Sequence, residues 1–239
     1  MQYAPCRAYI NGEYWGLFFM RERVDERYLE QHFGIHHDSV LVDEITTQRY
    51  FSEWVDSLKI LDFSSDSVYA WLSTRIDMPN LIDYTIAETY LGNDDWLWAN
   101  NNVLPWKPVH GGKWRFVLID LDASMRDPEL DMMQHISLAG SSYFSRLFML
   151  LTQNATFREA YLNRHAEVVR TCFGSARFVH VIDSIAGLIE PEIVAQHERW
   201  YYPASVAVWE DAVERLRVFA RTRPAIVARQ LDALLEQAD

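Results

Sequence analysis

"NLIDYTIAETYLGNDDWLWANNNV", residues 80 to 103, changes character in its middle. Leu81, Ile82, Ile86 and Tyr90 recur near helical spacing and Gly92 supplies a stop, so the first half reads as a helix. The second half brings together Asp94, Asp95, Trp96, Trp98, Asn100, Asn101 and Asn102. It is too polar for a core strand and too aromatic for an ordinary solvated loop. It reads as a loop leaving a helix end, with Trp96 and Trp98 available to pack over it. Taken alone, the stretch leaves two readings open: a turn rich in Asn and Asp because those side chains bond locally to backbone, or a chemical site.

Downstream lies "GGKWRFVLIDLDAS", residues 111 to 124. Trp114, Phe116 and Leu118 occupy one parity and Val117, Ile119 and Leu121 the other, the pattern of a strand buried on both faces. Asp120 and Asp122 share a parity, so in extended chain they point the same way. The glycines of "HGGKW" read as a hairpin turn. The rest of the chain reads as largely helical. Phe157, Tyr161, His165, Val168 and Cys172 form one stripe ending near Gly174; Phe178, Ile182, Ile185 and Ile189 form another. Thr222-Arg223-Pro224 is expected to separate two final helical segments, with Thr222 as an N-cap.

Upstream, "RAYINGEYWGLFFMRERVD" (residues 7 to 25) reads as a hairpin whose Asn11-Gly12 supplies a type I′ turn, its second strand running toward Glu22. "ERYLEQHFG" follows as a short helix stopped at Gly34, "SVLVDE" as a strand, and residues 50 to 75 as one or two small helices. The fold class is α+β: a strand-rich N-terminal part carrying the polar loops, then a helical C-terminal part, with residues 1–239 as one domain.

The chain has 239 residues and a formal net charge of −12, without the basic excess that non-specific nucleic-acid binding requires. An acidic protein can still bind nucleotide phosphates through a divalent metal held by its carboxylates. Cys6 and Cys172 are too few for a cysteine-rich zinc module, and the histidines have no metal-signature spacing. His165, on an apolar stripe, reads as a satisfied core histidine. No run is long and apolar enough for a membrane span. The first residues lack the pattern of a signal peptide and enter strand-like sequence almost at once. The compartment is left open, and the domain is expected to begin upstream of Met1.

Two carboxylates at the end of a buried strand repel each other unless a cation or protons intervene. A hard cation such as Mg²⁺ or Mn²⁺ suits such oxygen ligands; the other reading is a strand that surfaces there with both acids solvated. Phosphotransferases need a carboxylate to orient the attacking hydroxyl, an amide oxygen for a metal, and a further acid for metal and phosphates. Asp95, the Asn100–Asn102 run and the Asp120/Asp122 pair occur in that order.

At these residues the chain resembles the CotH-like atypical protein kinases, a family named after a spore-coat protein. The similar stretches are "YINGEYWGLFFMRERVDERYL", "LIDYTIAETYLGNDDW" with the following "NNV", "GGKWRFVLIDLD" and "IEPEIVAQHERW", in the family's order from near residue 7 to about residue 230. The resemblance implies a distant protein-kinase-like fold and transfer of the ATP γ-phosphoryl group to protein Ser or Thr with Mg²⁺ or Mn²⁺. By position, Asp95 resembles the catalytic-loop acid, Asn101 or Asn102 the metal-binding amide, and Asp120 and Asp122 the later metal-binding pair. Glu22 resembles an ion-pair or nucleotide-site residue. Where family members carry glycine and aromatic residues, this chain has Ala123-Ser124-Met125-Arg126. The family also has basic residues and part of its nucleotide lobe before the hairpin, so an N-terminal truncation is expected. A catalytically inactive binding or surface-attachment module, and a metal-dependent phosphohydrolase, are the alternative readings.

Overall fold

Asn11 and Gly12 both take positive φ, 53° and 83°, and so close strands β1 (Tyr3–Ile10) and β2 (Glu13–Arg21) through a type I′ turn whose twist matches the strands. The pairing is antiparallel, with a register shift between Ala8 and Tyr9. Asp25 then accepts from the backbone N–H groups of Arg27 and Tyr28 and starts helix α1 (Glu26–Phe33), which Gly34 ends in the left-handed conformation. A computed structural model describes residues 3–43 and 49–236.

A second sheet is antiparallel, in the order β3 (Val40–Val42), β4 (Leu104–Pro108), β5 (Arg115–Val117). Of the strand expected over residues 39 to 44, Glu44 lies outside the described residues. Helices α2 (Arg49–Ser57), α3 (Asp66–Leu72) and α4 (Met78–Leu91) separate β3 from β4. After β5 come α5 (Met132–Leu138), α6 (Tyr143–Leu151), α7 (Ala155–Thr171), α8 (Ser175–Ile189), α9 (Ile193–Trp200) and α10 (Val206–Glu236). The class is mixed α+β, with small N-terminal sheets and a mostly helical C-terminal half.

The largest core surrounds α4. Leu81, Ile86 and Trp96 are fully buried among Phe51, Phe116, Phe144, Phe148 and Phe157, and Tyr84 stacks on Phe116 at 5.4 Å. α4 buries most of its circumference rather than one stripe, which makes it the central helix. A smaller cluster of Leu29, Val40, Leu104, Trp106 and Val117 packs α1 against the second sheet.

Three expectations are corrected. The strand beginning at residue 114 ends at Val117; Leu118, Ile119 and Leu121 are only half-buried, and Asp120 has φ +49°, so extended parity does not govern the two acids. The chain leaves the sheet there because its backbone is claimed by the end of α4, as described below. Thr222 is not an N-cap: α10 runs unbroken through Pro224, and the Thr222 hydroxyl donates back to the Val218 carbonyl at 2.9 Å. An internal proline costs about 3 kcal/mol, and burial of Phe219, Ala220, Ile226 and Val227 on either side offsets it. The stripe on α7 stops at Val168, because Cys172 is the exposed C-cap residue.

Candidate active site

The last turn of α4 determines where the polar loops go. A helix leaves its final carbonyls without intrahelical partners, and here the last three find donors from distant parts of the chain. Arg223 of α10, fully buried, donates to the carbonyls of Thr89 and Tyr90 and, across the gap, to those of Pro128 and Leu130, at 2.7 to 2.8 Å. Burial lowers its pKa to about 10, so it stays charged at neutral pH. Met125 N–H donates to the Leu91 carbonyl at 2.8 Å. Gly92, at φ +66°, turns the chain out of the helix.

Asn93, with no exposed surface, is the next joint. Its Nδ2 donates to Glu88 Oε2 at 2.8 Å and to the Asp120 carbonyl at 3.2 Å, tying the asparagine loop to the acidic loop. Trp96 is buried and its Nε1 donates to the Tyr84 hydroxyl at 2.8 Å; that hydroxyl donates to the Asn102 carbonyl at 3.0 Å. One tyrosine of α4 therefore holds both ends of the loop. His135 Nε2 lies 2.6 Å from the Trp96 carbonyl, and Asn100 Oδ1 accepts from Tyr143 N–H at the start of α6. Trp98 is exposed and instead donates to the Asp94 carbonyl.

On this frame Asp95 Oδ1 accepts from Asn102 Nδ2 at 2.9 Å, while Asn101 Nδ2 lies 3.4 Å from both the Asp95 carbonyl and Oδ2. Asn102 is buried and Asn101 half-buried. Leu97, Asn100, Asn102, Asp120 and Met125 all take positive φ, an uncommon density of left-handed non-glycine residues. Such conformations persist only where the surroundings over-determine them, and the hydrogen bonds above do so.

The acids share one electrostatic neighbourhood. Burial raises the pKa of Asp95, the Asn102 hydrogen bond opposes that rise, and the negative charges of Asp120, Asp122 and Asp94 add to it. Asp120 and Asp122 are exposed. Arg126 approaches Asp94 at 3.8 Å and donates to the Asp122 carbonyl at 3.3 Å. Beneath them Glu88 has no exposed surface, and burial raises its pKa to about 8, with the Asp95 charge a further contribution. The protonated form of Glu88 is thus favoured at neutral pH. Its Oε1 and the Asn93 Oδ1 have no hydrogen-bond partner among the described residues.

Of the residues singled out from the sequence, Asp95, Asn101, Asn102, Asp120 and Asp122 meet at this corner. Glu22 follows β2 and pairs with His32 of α1 at 2.9 Å. His165 is buried, but it is not fully satisfied: burial lowers its pKa to about 4, and its Nε2 has no partner among the described residues. Sequence reading missed Glu88, Asn93 and Arg223. Glu88 and Arg223 sit in ordinary helical sequence, where their burial leaves no local signal.

The chain matches the sequence profile of the family described as CotH kinase protein over residues 1–227. It belongs to the CotH kinase family. The match spans the hairpin, the asparagine loop, the acidic loop and α9. No curated protein matches the chain. Membership in a kinase family implies ATP use. The donor set fits a divalent cation bound with nucleotide: carboxylate and amide oxygens are hard ligands, and Asp95 lies in an excess of negative charge that a cation relieves. No helix among the described residues is long and apolar enough to cross a membrane.

Proposed function

We propose that this CotH-family chain is an atypical protein kinase with a distant protein-kinase-like fold, transferring the ATP γ-phosphoryl group to protein Ser or Thr. The observation that carries the reading is the meeting of Asp95, its two asparagine partners and the Asp120/Asp122 pair at the end of one buried helix. Asp120, Asp122 and the amide oxygen of Asn102, with Asn101 as the alternative amide, would hold Mg²⁺ or Mn²⁺. When bound, metal and ATP supply the phosphoryl group and neutralise charge on it. Asp95 orients the acceptor hydroxyl and takes the proton it releases. Its raised pKa makes it a better base than a solvated aspartate, and the Asn102 amide fixes its carboxylate. Glu22 serves as an ion-pair residue toward the nucleotide side. Catalysis is mainly positioning and charge neutralisation.

The test is a pair of variants in the whole protein. Asp95→Asn keeps Mn²⁺-ATP binding and lowers phosphoryl transfer by about a hundredfold or more. Asp120→Asn with Asp122→Asn abolishes metal-dependent ATP binding. Transfer that survives in both variants rules out this assignment, and free phosphate without labelled protein points to a phosphohydrolase.

One observation favours an inactive binding module. Ala123 and Ser124 are buried and Met125 N–H is bonded to Leu91, so the segment after the second acid lacks an open glycine backbone. That reading expects no transfer from the parent protein and unchanged partner binding in both variants.

A further inference from the structure

Outside the acidic corner, a second group of ligating side chains forms where α1 turns back toward the second sheet. Glu30 lies in the last turns of α1; Gly34 reverses the chain at φ +68°, and His36 precedes a short 3-10 turn (His37–Ser39) that leads into β3. The reversal folds the two histidines over the helix. His37 Nδ1 is 2.9 Å from Glu30 Oε2, and the His36 and His37 rings stack with centroids 4.3 Å apart. One ligand atom from each of Glu30, His36 and His37 lies within 4.8 Å of the other two. Asp38 adds a carboxylate 3.6 Å from His37 Nε2 and 3.8 Å from His36 Nδ1.

We propose that Glu30, His36 and His37 form a site for a zinc-class divalent ion that clasps α1 to the turn leading into β3. Two imidazoles and a carboxylate are the donors such ions prefer, in contrast to the all-oxygen set around Asp95. Bonds of about 2.0–2.1 Å in tetrahedral array place ligand atoms about 3.3 Å apart. The His37–Glu30 contact opens slightly to reach that spacing, and the more distant His36 swings inward. These side chains are 60%, 28% and 37% exposed for His36, His37 and Glu30, so rotamer changes suffice and the ion has an open approach. The turn restrains the rings beforehand: the Asp38 N–H donates to His36 Nδ1 at 3.3 Å. An ordinary ion pair accounts for His37 and Glu30, and stacking on His37 holds His36 beside them, so all three ligands reach one point before any ion binds. Sequence spacing could not reveal the group, because its third ligand comes from the preceding helix.

The ion would tie α1 to the cluster in which Leu29 packs against Val40, Leu104 and Trp106. Its effect is therefore on the stability of the N-terminal part, and it is independent of whether the acidic corner transfers phosphate.

Zn²⁺ titrated calorimetrically into the whole protein, and Co²⁺ followed by its visible d–d absorption, test the site without nucleotide. The expected result is one-site Zn²⁺ binding and a rise in thermal midpoint. His36→Ala and His37→Ala each weaken binding by about tenfold or more, whereas Asp120→Asn with Asp122→Asn leaves it unchanged. Glu30→Gln retains the helix and weakens binding to a smaller degree. Far-UV circular dichroism checks folding, and His36→Gln, at the most exposed ligand, serves if His37→Ala does not fold. Absence of binding by the parent, or binding unaffected by His36→Gln and Glu30→Gln, overturns the proposal. So does binding lost only with the aspartates.

Discussion

The corner around α4 and the β1–β2 hairpin both carry stretches that resemble the same family, yet they are held by opposite means. The corner is fastened from inside: Arg223, Glu88, Thr89 and Asn93 have no more than 1% exposure, and loop backbone is bonded to helix backbone or buried side chains. In the hairpin only Gly16 is buried among the described residues, and Phe18, Phe19 and Met20 are exposed. The hairpin is fastened from outside by α9 and the turn before it. Gln196 Oε1 accepts from Leu17 N–H at 2.8 Å, Trp200 Nε1 donates to the Trp15 carbonyl, and Arg7 pairs with Glu192. Trp15 also meets Trp200 edge to face and lies under Arg199. The difference teaches that a legible motif carries no information about its own anchoring: one is held by hydrogen bonds from buried side chains and backbone, the other by a helix far away in sequence that touches its edge.

The largest effect expected is from Arg223→Ala, which leaves the carbonyls of Thr89, Tyr90 and Pro128 without their donor in or beside the core, while that of Leu130 keeps Gln230. Leaving buried polar groups unpaired costs about 1–3 kcal/mol each, so urea unfolding should show a loss of about 4 kcal/mol or more. A loss below about 1 kcal/mol would mean that water replaces the guanidinium and that the corner is not fastened from inside.

Glu88 sharpens the same contrast through pH. Its carboxyl is raised from 4.5 to about 8 in the fold, so between those values the folded state holds a proton that the unfolded chain has released. Stability is therefore greatest below about pH 4.5 and falls as pH rises toward 8. Glu88→Gln keeps the shape and cannot ionise. Relative to the parent it should gain about 2–4 kcal/mol between pH 5 and pH 8, read from denaturant midpoints in the two buffers. Parallel pH profiles in the two proteins would contradict a protonated Glu88.

Divalent metal should act on the corner and spare the hairpin. Mg²⁺ or Mn²⁺ at a hundredfold excess over its dissociation constant stabilises by about 2.7 kcal/mol through linkage, seen as a higher melting midpoint. The increment should persist in Asp95→Asn and vanish in Asp120→Asn with Asp122→Asn. An unchanged midpoint for the parent with metal and ATP together would count against the oxygen-ligand site.

The smallest effect belongs to the hairpin. Gln196→Ala removes one bond to half-buried strand backbone and should cost about 1 kcal/mol. Hydrogen exchange should quicken at the Leu17 amide, while the Met125 amide bonded to Leu91 keeps its protection. Equal acceleration at both would show that the two regions open as one unit.

Local chemistry settles much without any tertiary contact. Asn11-Gly12 can close a hairpin because both residues tolerate positive φ; Asp25 and Gly34 delimit α1; Gly92 ends α4. Asp95, the Asn100–Asn102 run, Asp120 and Asp122 stand out because polar groups so dense beside apolar helix and strand need partners, and the family resemblance narrows the run to Asn101 and Asn102. The sequence by itself therefore determined the first hairpin, α1, α4, the α+β class and the resemblance to the CotH kinases. Tertiary structure alone decided the rest. It stopped β5 at Val117, because Asn93 and Leu91 claim the backbone that follows. It carried α10 through Pro224, because the helix is buried on both sides of the proline. It set Asn102 at 2.9 Å from the Asp95 carboxylate and Asn101 at 3.4 Å, and spent Asn100 on the start of α6. The physical reason is that propensity and pattern act over a few residues, whereas apolar faces are buried and backbone carbonyls and amides are satisfied by whatever the fold brings beside them, for the end of α4 and the acidic loop from 27 to 134 positions away.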